Sequence, residues 1–155
     1  MQVSEWVLKW ALRFYPPLFF QRIWVRRFDK GFMGASIVVR KSILNKNYNN
    51  SIFGGTLFAM ADPWYPLLFH QIFLRKGHRV IVWLKGAEIQ YLKPAHTDLH
   101  FEIKIDDETI AQAEQMLITT GKFIRTFEIE MLNKYNEVCV NMQVEAYVRK
   151  LDMPA

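Results

Sequence analysis

Between Ser51 and Leu74 the sequence carries one carboxylate, Asp62, and no lysine or arginine. Gly54 and Gly55 open this run, and residues such as Leu57, Met60, Leu68, Phe69 and Phe73 fill it with apolar bulk. A helical segment that is apolar on every side has to be enclosed by something. A bilayer-spanning helix is excluded, because Asp62, Pro63 and Pro66 divide the run into pieces shorter than the roughly 20 apolar residues a span requires. Pro63 also lacks a backbone donor and clashes with the carbonyl four residues earlier, which predicts a kink or break at Asp62.

The rest of the chain supplies the enclosure. Ala35 to Ile43 is rich in β-forming residues, and the asparagines from Asn45 to Asn50 suit a turning polar loop. Arg79 to Leu84 is apolar, and Ala87, Ile89 and Tyr91 alternate with Glu88 and Gln90. This reads as one long strand, or two joined near Gly86, closed by Pro94. Leu99, Phe101, Ile103 and Ile105 alternate with polar residues to give the next strand. Asp106 and Asp107 offer an N-cap to a short helix that carries Ile110, Ala113 and Leu117 and ends near Gly121. Phe127, Ile129 and Met131 mark a further strand, and alternate residues from Val138 to Val148 share one face of the last. The order is helical arm, strand, long helix, then four strands with one helical insertion. It defines an α+β chain, for which a buried helix wrapped by a curved antiparallel sheet is one economical arrangement.

With 155 residues, 51% of them hydrophobic, there is material for one substantial core but not for two ordinary domains. We therefore expect one unit, an N-terminal arm over residues 1–30 followed by a body over 31–150. In the arm, Val3, Trp6, Val7, Trp10, Ala11 and Phe14 recur at helical spacing opposite Ser4, Glu5, Lys9 and Arg13. Pro16 and Pro17 end that helix, and Phe20, Ile23, Trp24 and Phe28 with Arg22, Arg26 and Arg27 suggest a second short one. Such an arm either packs as a lid on the sheet or a partner subunit, or lies on a membrane surface. The net charge of +5 favours anionic partners, whether coenzyme A phosphates or an acidic membrane. Nucleic acid is not expected, since no binding motif is present. Lys9 and Arg13 interrupt any signal-peptide apolar segment, and the single cysteine, Cys139, excludes an intrachain disulfide. A soluble, cytoplasmic protein is the default expectation.

The segment Asn47-x-x-Asn50-x-x-Phe53-Gly54-Gly55, followed by Ala61-Asp62, resembles the signature of hotdog-fold thioesterases of the PaaI-like group. That signature reads Asn-x-x-Gly-x-x-His-Gly-Gly and then a helix with Ala-Asp. Asn50 stands where the group has glycine, and Phe53 where it has histidine. Ile89 to Ala95, ending Leu92-Lys93-Pro94-Ala95, is similar to the strand and turn that follow the helix in that group. The arm's Pro-Pro, the Phe-Gly-Gly and the Ala-Asp-Pro are shared with a hotdog branch catalogued as a domain of unknown function. The resemblance implies the hotdog fold, a homodimer or dimer of dimers, and hydrolysis of an acyl-CoA or acyl-carrier thioester without a cofactor.

Thioester hydrolysis requires donors for the carbonyl oxygen and either a base for water or a carboxylate nucleophile. The resemblance assigns Gly55, with Gly54, as oxyanion donors at the helix start. It assigns Asp62 as base or nucleophile, and Asn47 as the group that orients water or the carbonyl. Phe53, Phe58, Trp64, Tyr65 and Phe69 are expected around an apolar acyl group, and Lys93 near the coenzyme phosphates. In hotdog dimers the glycines and the acid of one site commonly come from different subunits. Two plainer readings stand beside these. Asp62 followed by Pro63 also suits a helix start, with aspartate as N-cap, and Lys93 is equally a solvated surface lysine. A non-catalytic hotdog protein that binds acyl-CoA, an acyl carrier or a fatty acid is the alternative function. No metal is expected: His96 and His100 share a strand face but lie roughly 13 Å apart, too far for one ion.

Overall fold

The computed structural model describes residues 3–151. In chain order the elements are α1 (Glu5–Arg13), α2 (Pro16–Gln21), β1 (Ile23–Phe28), a 3-10 turn at Lys30–Phe32, and β2 (Gly34–Val39). They continue with α3 (Gly54–Ala61), α4 (Trp64–Arg75), β3 (Val80–Tyr91), β4 (Leu99–Lys104), α5 (Asp107–Thr119), β5 (Lys122–Leu132) and β6 (Val138–Lys150). All strand pairs are antiparallel, and the six strands form one sheet in the order β1-β2-β4-β5-β6-β3. Strand β3 therefore forms an edge.

The apolar run is the hub of the core. In α3 and α4, Met60, Trp64, Leu68, Phe69 and Phe73 have no exposure, and they meet Ile37, Leu99, Phe101, Val144 and Val148 from the sheet in one hydrophobic cluster. Phe69 stacks on Phe73 and meets Phe123 and Phe127 of β5 at centroid distances of 5.7 and 5.9 Å. The expected break falls at Asp62 and Pro63, which keep right-handed helical dihedrals while regular helical bonding lapses.

The long strand before Pro94 is continuous, with a register shift between Leu84 and Gly86. Asp106 caps α5 by accepting from Thr109 N at 2.7 Å, as its position in the sequence suggests, and Gly121 takes φ +73° after the helix. Strand β2 is shorter than its β-rich sequence implies. The backbone leaves the sheet after Val39, and Ile43 lies exposed in the following loop.

One expectation for the arm is corrected. Ile23–Phe28 is a strand paired with β2, not a second helix. A bulge at Arg26 adds one residue between buried Val25 and Phe28, so a period-two strand acquires the three-residue spacing of a helix. Helix α1 leaves most of its apolar stripe open within this single chain. Trp6 and Phe14 are about 70% exposed, while Leu8 and Leu12 reach the core from the other side. What fixes α1 is polar: Glu5 accepts from Arg75 and from Gly31 N, both at 2.8 Å, and Arg75 also donates to Val3 O. The Arg75 guanidinium, despite some desolvation, holds the Glu5 carboxyl down at about 2. Residues 1 and 2 of the arm lie outside the described residues.

Truncating the hub should be costly. We expect Phe69→Ala to lower stability by about 3–5 kcal/mol in urea unfolding, while Phe20→Ala, on the exposed arm, should change it by less than about 0.5 kcal/mol.

Candidate active site

Helix α3 is buried on one side and open on the other. Thr56, Leu57, Met60 and Ala61 face the core, whereas Gly55, Phe58 and Asp62 are exposed. These three follow i, i+3, i+7 spacing and form a single outward stripe. At 1.5 Å per residue its two ends are roughly 10 Å apart.

At the N-terminal end, Phe53 leads into the helix with an extended backbone and no side-chain cap. The N–H groups of Gly54 and Gly55 have no acceptor among the described residues, since the first turn of a helix leaves them free. Tyr91 Oη donates to Gly54 O at 3.0 Å, and a Cβ on Gly54 would crowd the end of the Tyr91 ring at 3.0–3.4 Å. A Cβ on Gly55 would meet the Phe53 ring at 2.5 Å, so this ring folds over the helix start. The groove here is lined by Asn47, Gly54, Gly55, Tyr91 and Lys93 and encloses about 380 Å³. Asn47 is committed to its own loop, accepting from Asn49 N and Ser51 N and donating to Ser51 Oγ. Lys93 is exposed and held by Glu137 at 2.8 Å.

The C-terminal end is a second groove, of about 480 Å³, where Asp62 sits with Pro66, Leu67, His70, Gln71 and Trp83. Asp62 carries helical dihedrals (φ −56°, ψ −53°), and α4 has no side-chain cap. The N-cap reading is thereby overturned, because a capping residue has an extended backbone and an oxygen bonded to the following N–H groups. Desolvation by its apolar neighbours pushes the carboxyl above the ordinary aspartate range.

Three of the residues expected at the ligand, Trp64, Tyr65 and Phe69, belong instead to the core. Trp64 is fully buried and donates its indole N–H to Met60 O. Tyr65 stacks on Phe127 at 4.0 Å, and burial pushes its phenol up to about 12. Their helical phase turns them inward, away from the stripe of Phe58 and Asp62. Cys139 is also buried. Among the described residues no group of three or more His, Cys, Asp and Glu gathers as metal ligands.

The family model for a domain of unknown function, DUF4442, matches residues 4–148. The chain belongs to the DUF4442 family. No curated protein matches this DUF4442 sequence. Its fold is shared by PA5026 of Pseudomonas aeruginosa, a protein of unknown function called a probable thioesterase. That structure is 18% identical with a TM-score of 0.82, over 97% of this chain and 99% of the other. Thioesterase HI1161 of Haemophilus influenzae is 13% identical with a TM-score of 0.70, covering 99% and 95%. The E. coli PaaI protein from the phenylacetic acid degradation operon is 15% identical with a TM-score of 0.65, covering 95% and 93%. The DUF4442 chain thus has the hotdog fold implied by its Gly-Gly and Ala-Asp segments.

The two departures from the PaaI-like pattern have distinct structural consequences. Asn50 adopts φ +56°, a left-handed conformation that glycine and asparagine both tolerate, so the glycine-to-asparagine change preserves the turn. Phe53 replaces a hydrogen-bonding ring with one that only covers the helix start. Sequence reasoning missed Tyr91, His70 and Gln71. The Tyr91 contact spans 37 residues and has no local signal. His70 was discoverable, since it lies two turns beyond Asp62 on the same helical face.

A carboxyl whose folded-state pKa is raised binds its proton more tightly when folded. Its contribution to stability is complete below the ordinary aspartate pKa and is lost as pH rises through the raised value. Asp62→Asn removes this penalty, so the variant should melt above the wild type at neutral pH. The difference should vanish below the ordinary aspartate range, as thermal unfolding across pH will show.

Proposed function

We propose that this DUF4442 protein is an acyl-thioester hydrolase that acts as a homodimer on an apolar acyl-CoA or acyl-carrier thioester. The observation that carries the reading is the α3 stripe, with free helix-start donors at one end and a desolvated carboxylate at the other. Both grooves border edge strand β3, one near Val82 to Leu84 and the other near Tyr91. Antiparallel pairing of β3 with the same strand of a second copy would set the early part of one against the late part of the other. The Asp62 groove of one subunit would then adjoin the Gly55 groove of its partner. The exposed 12-residue edge, with Ile81 and Trp83 each 40% accessible, favours such pairing.

In this arrangement Gly55 N–H, with Gly54 N–H, holds the thioester carbonyl oxygen where negative charge develops. Asp62 takes a proton from water as its oxygen attacks the carbonyl carbon. Collapse of the tetrahedral intermediate breaks the C–S bond, and the thiolate takes the proton. Alternatively the carboxylate attacks directly and water cleaves the resulting anhydride. Phe53 and Phe58 supply apolar wall on either side of Gly55, and Lys93 stands at the groove mouth for coenzyme phosphates. The raised pKa of Asp62 suits a general base better than an ordinary surface aspartate would. One observation favours the binding-only alternative: the Phe53 ring lies against Gly55 and offers no hydrogen-bond donor of its own. A cytoplasmic location and a membrane-surface contact through the exposed arm complete the proposal.

A panel of short, long and aromatic acyl-CoAs should contain a substrate. Asp62→Asn should slow its hydrolysis by at least about a hundredfold, the scale of lost general-base catalysis. Full activity in that variant would remove Asp62 from the mechanism, and an inert wild type would leave the binding reading. Light scattering at micromolar concentration should give a dimer or its multiple, and a strict monomer would exclude the shared site.

A further inference from the structure

Arg13, Arg22 and Arg40 converge on one indole, with guanidinium carbons 3.5, 4.7 and 5.6 Å from the centre of the Trp24 ring. They come from α1, the end of α2 and the end of β2, so the fold assembles the cluster and no run of like charges explains it. Lys9 and Arg26 join Arg13, Trp24 and Arg40 around a cavity of about 290 Å³. Trp24 is paired with Val38 and alternates with buried Ile23 and Val25, which places it on the sheet face opposite the core.

This cluster lacks anions. Among the described residues Lys9, Arg13, Arg22 and Arg26 have no ion-pair partner. Arg40 reaches only Asp98, at 3.7 Å, and the other oxygen of Asp98 accepts from Lys41 N. Two buried donors, Arg22 Nε and Trp24 Nε1, have no acceptor among the described residues. Burial, and then the charges of Arg40 and Arg22, lower the pKa of Arg13. Arg22 is the left-handed C-cap of α2, at φ +61°, and brings its guanidinium in from the helix end. Like charges gathered around one ring, with surplus donors, are an arrangement suited to an anion.

We infer that this pocket binds the phosphoryl headgroup of an anionic phospholipid and seats the arm on a bilayer surface. Several guanidinium and ammonium groups around one point match a tetrahedral group with three or more charged oxygens better than a two-oxygen carboxylate. The rim decides for lipid over a soluble phosphate. Trp10 lines the cavity itself, and Trp6, Phe14 and Phe20 stand 62–70% exposed on the same arm. Aromatic side chains of this kind settle at headgroup depth, and nearby cations add attraction to acidic lipid. Asp62 and Gly55 take no part, so the inference stands apart from the hydrolase reading.

The test is co-sedimentation of the full chain with phosphatidylcholine vesicles, with and without phosphatidic acid. Wild type should associate with the acidic vesicles at least about tenfold more strongly, and less as salt is raised. Lys9→Gln and Arg26→Gln should each weaken that association by about fivefold, the effect of one surface cation. Lys134→Gln, in the β5–β6 turn, should leave it unchanged. Hydrolysis of any soluble thioester substrate should be unaffected by all three. Equal binding to phosphatidylcholine alone, or indifference to Lys9→Gln and Arg26→Gln, would overturn the phosphoryl assignment. Tight binding of glycerol 3-phosphate or coenzyme A at Arg13 and Arg40 without vesicle association would overturn the lipid source.

Discussion

Enclosure of the apolar run from α3 through α4 is the constraint on which the rest of the structure depends. Trp64, Leu68, Phe69 and Phe73 have no exposure and touch strands from both halves of the sheet. A flat sheet would leave part of such a helix bare, and curvature follows from covering it. The Asp62–Pro63 break is tolerated because packing, rather than continuous hydrogen bonding, holds the two helical segments in line.

The same enclosure creates the candidate site by leaving one stripe uncovered. Gly55, Phe58 and Asp62 escape burial because they lie on the α3 side that the sheet does not reach. The donors and the carboxylate are separated by two turns of one rigid helix, so no side-chain motion unites them within a chain. Their common neighbour is the edge strand β3, whose free backbone groups and apolar side chains invite another strand. In the proposed dimer, catalytic geometry and association would be coupled through this one element.

The arm follows a different logic. Its helix is tied down by an arginine–carboxylate clamp and by Leu8 and Leu12 against the core, while its aromatic side faces outward. Apolar area left open beside a cluster of guanidinium groups, of which only Arg40 meets a carboxylate among the described residues, gives this end of the molecule a surface chemistry distinct from that of the α3 grooves.

Much of this was legible in the sequence. The alternation in β3, β4, β5 and β6, the Asp106 cap and the break at Pro63 are local signals, because strand period, capping and proline sterics act over a few residues. The Gly-Gly and Ala-Asp segments identified the fold and located both ends of the stripe. Other features were decided only by tertiary structure. The bulge at Arg26 disguised β1 as a helix, since one inserted residue changes the apparent period. Helical phase sent Trp64 and Tyr65 into the core and left Phe58 outside, a distinction that an all-apolar run cannot encode in its pattern. Asp62 lost its capping role because α3 and α4 run on through it with helical dihedrals. The Trp24 cluster and the Tyr91 contact join residues far apart in the chain, and only the folded sheet sets their distances.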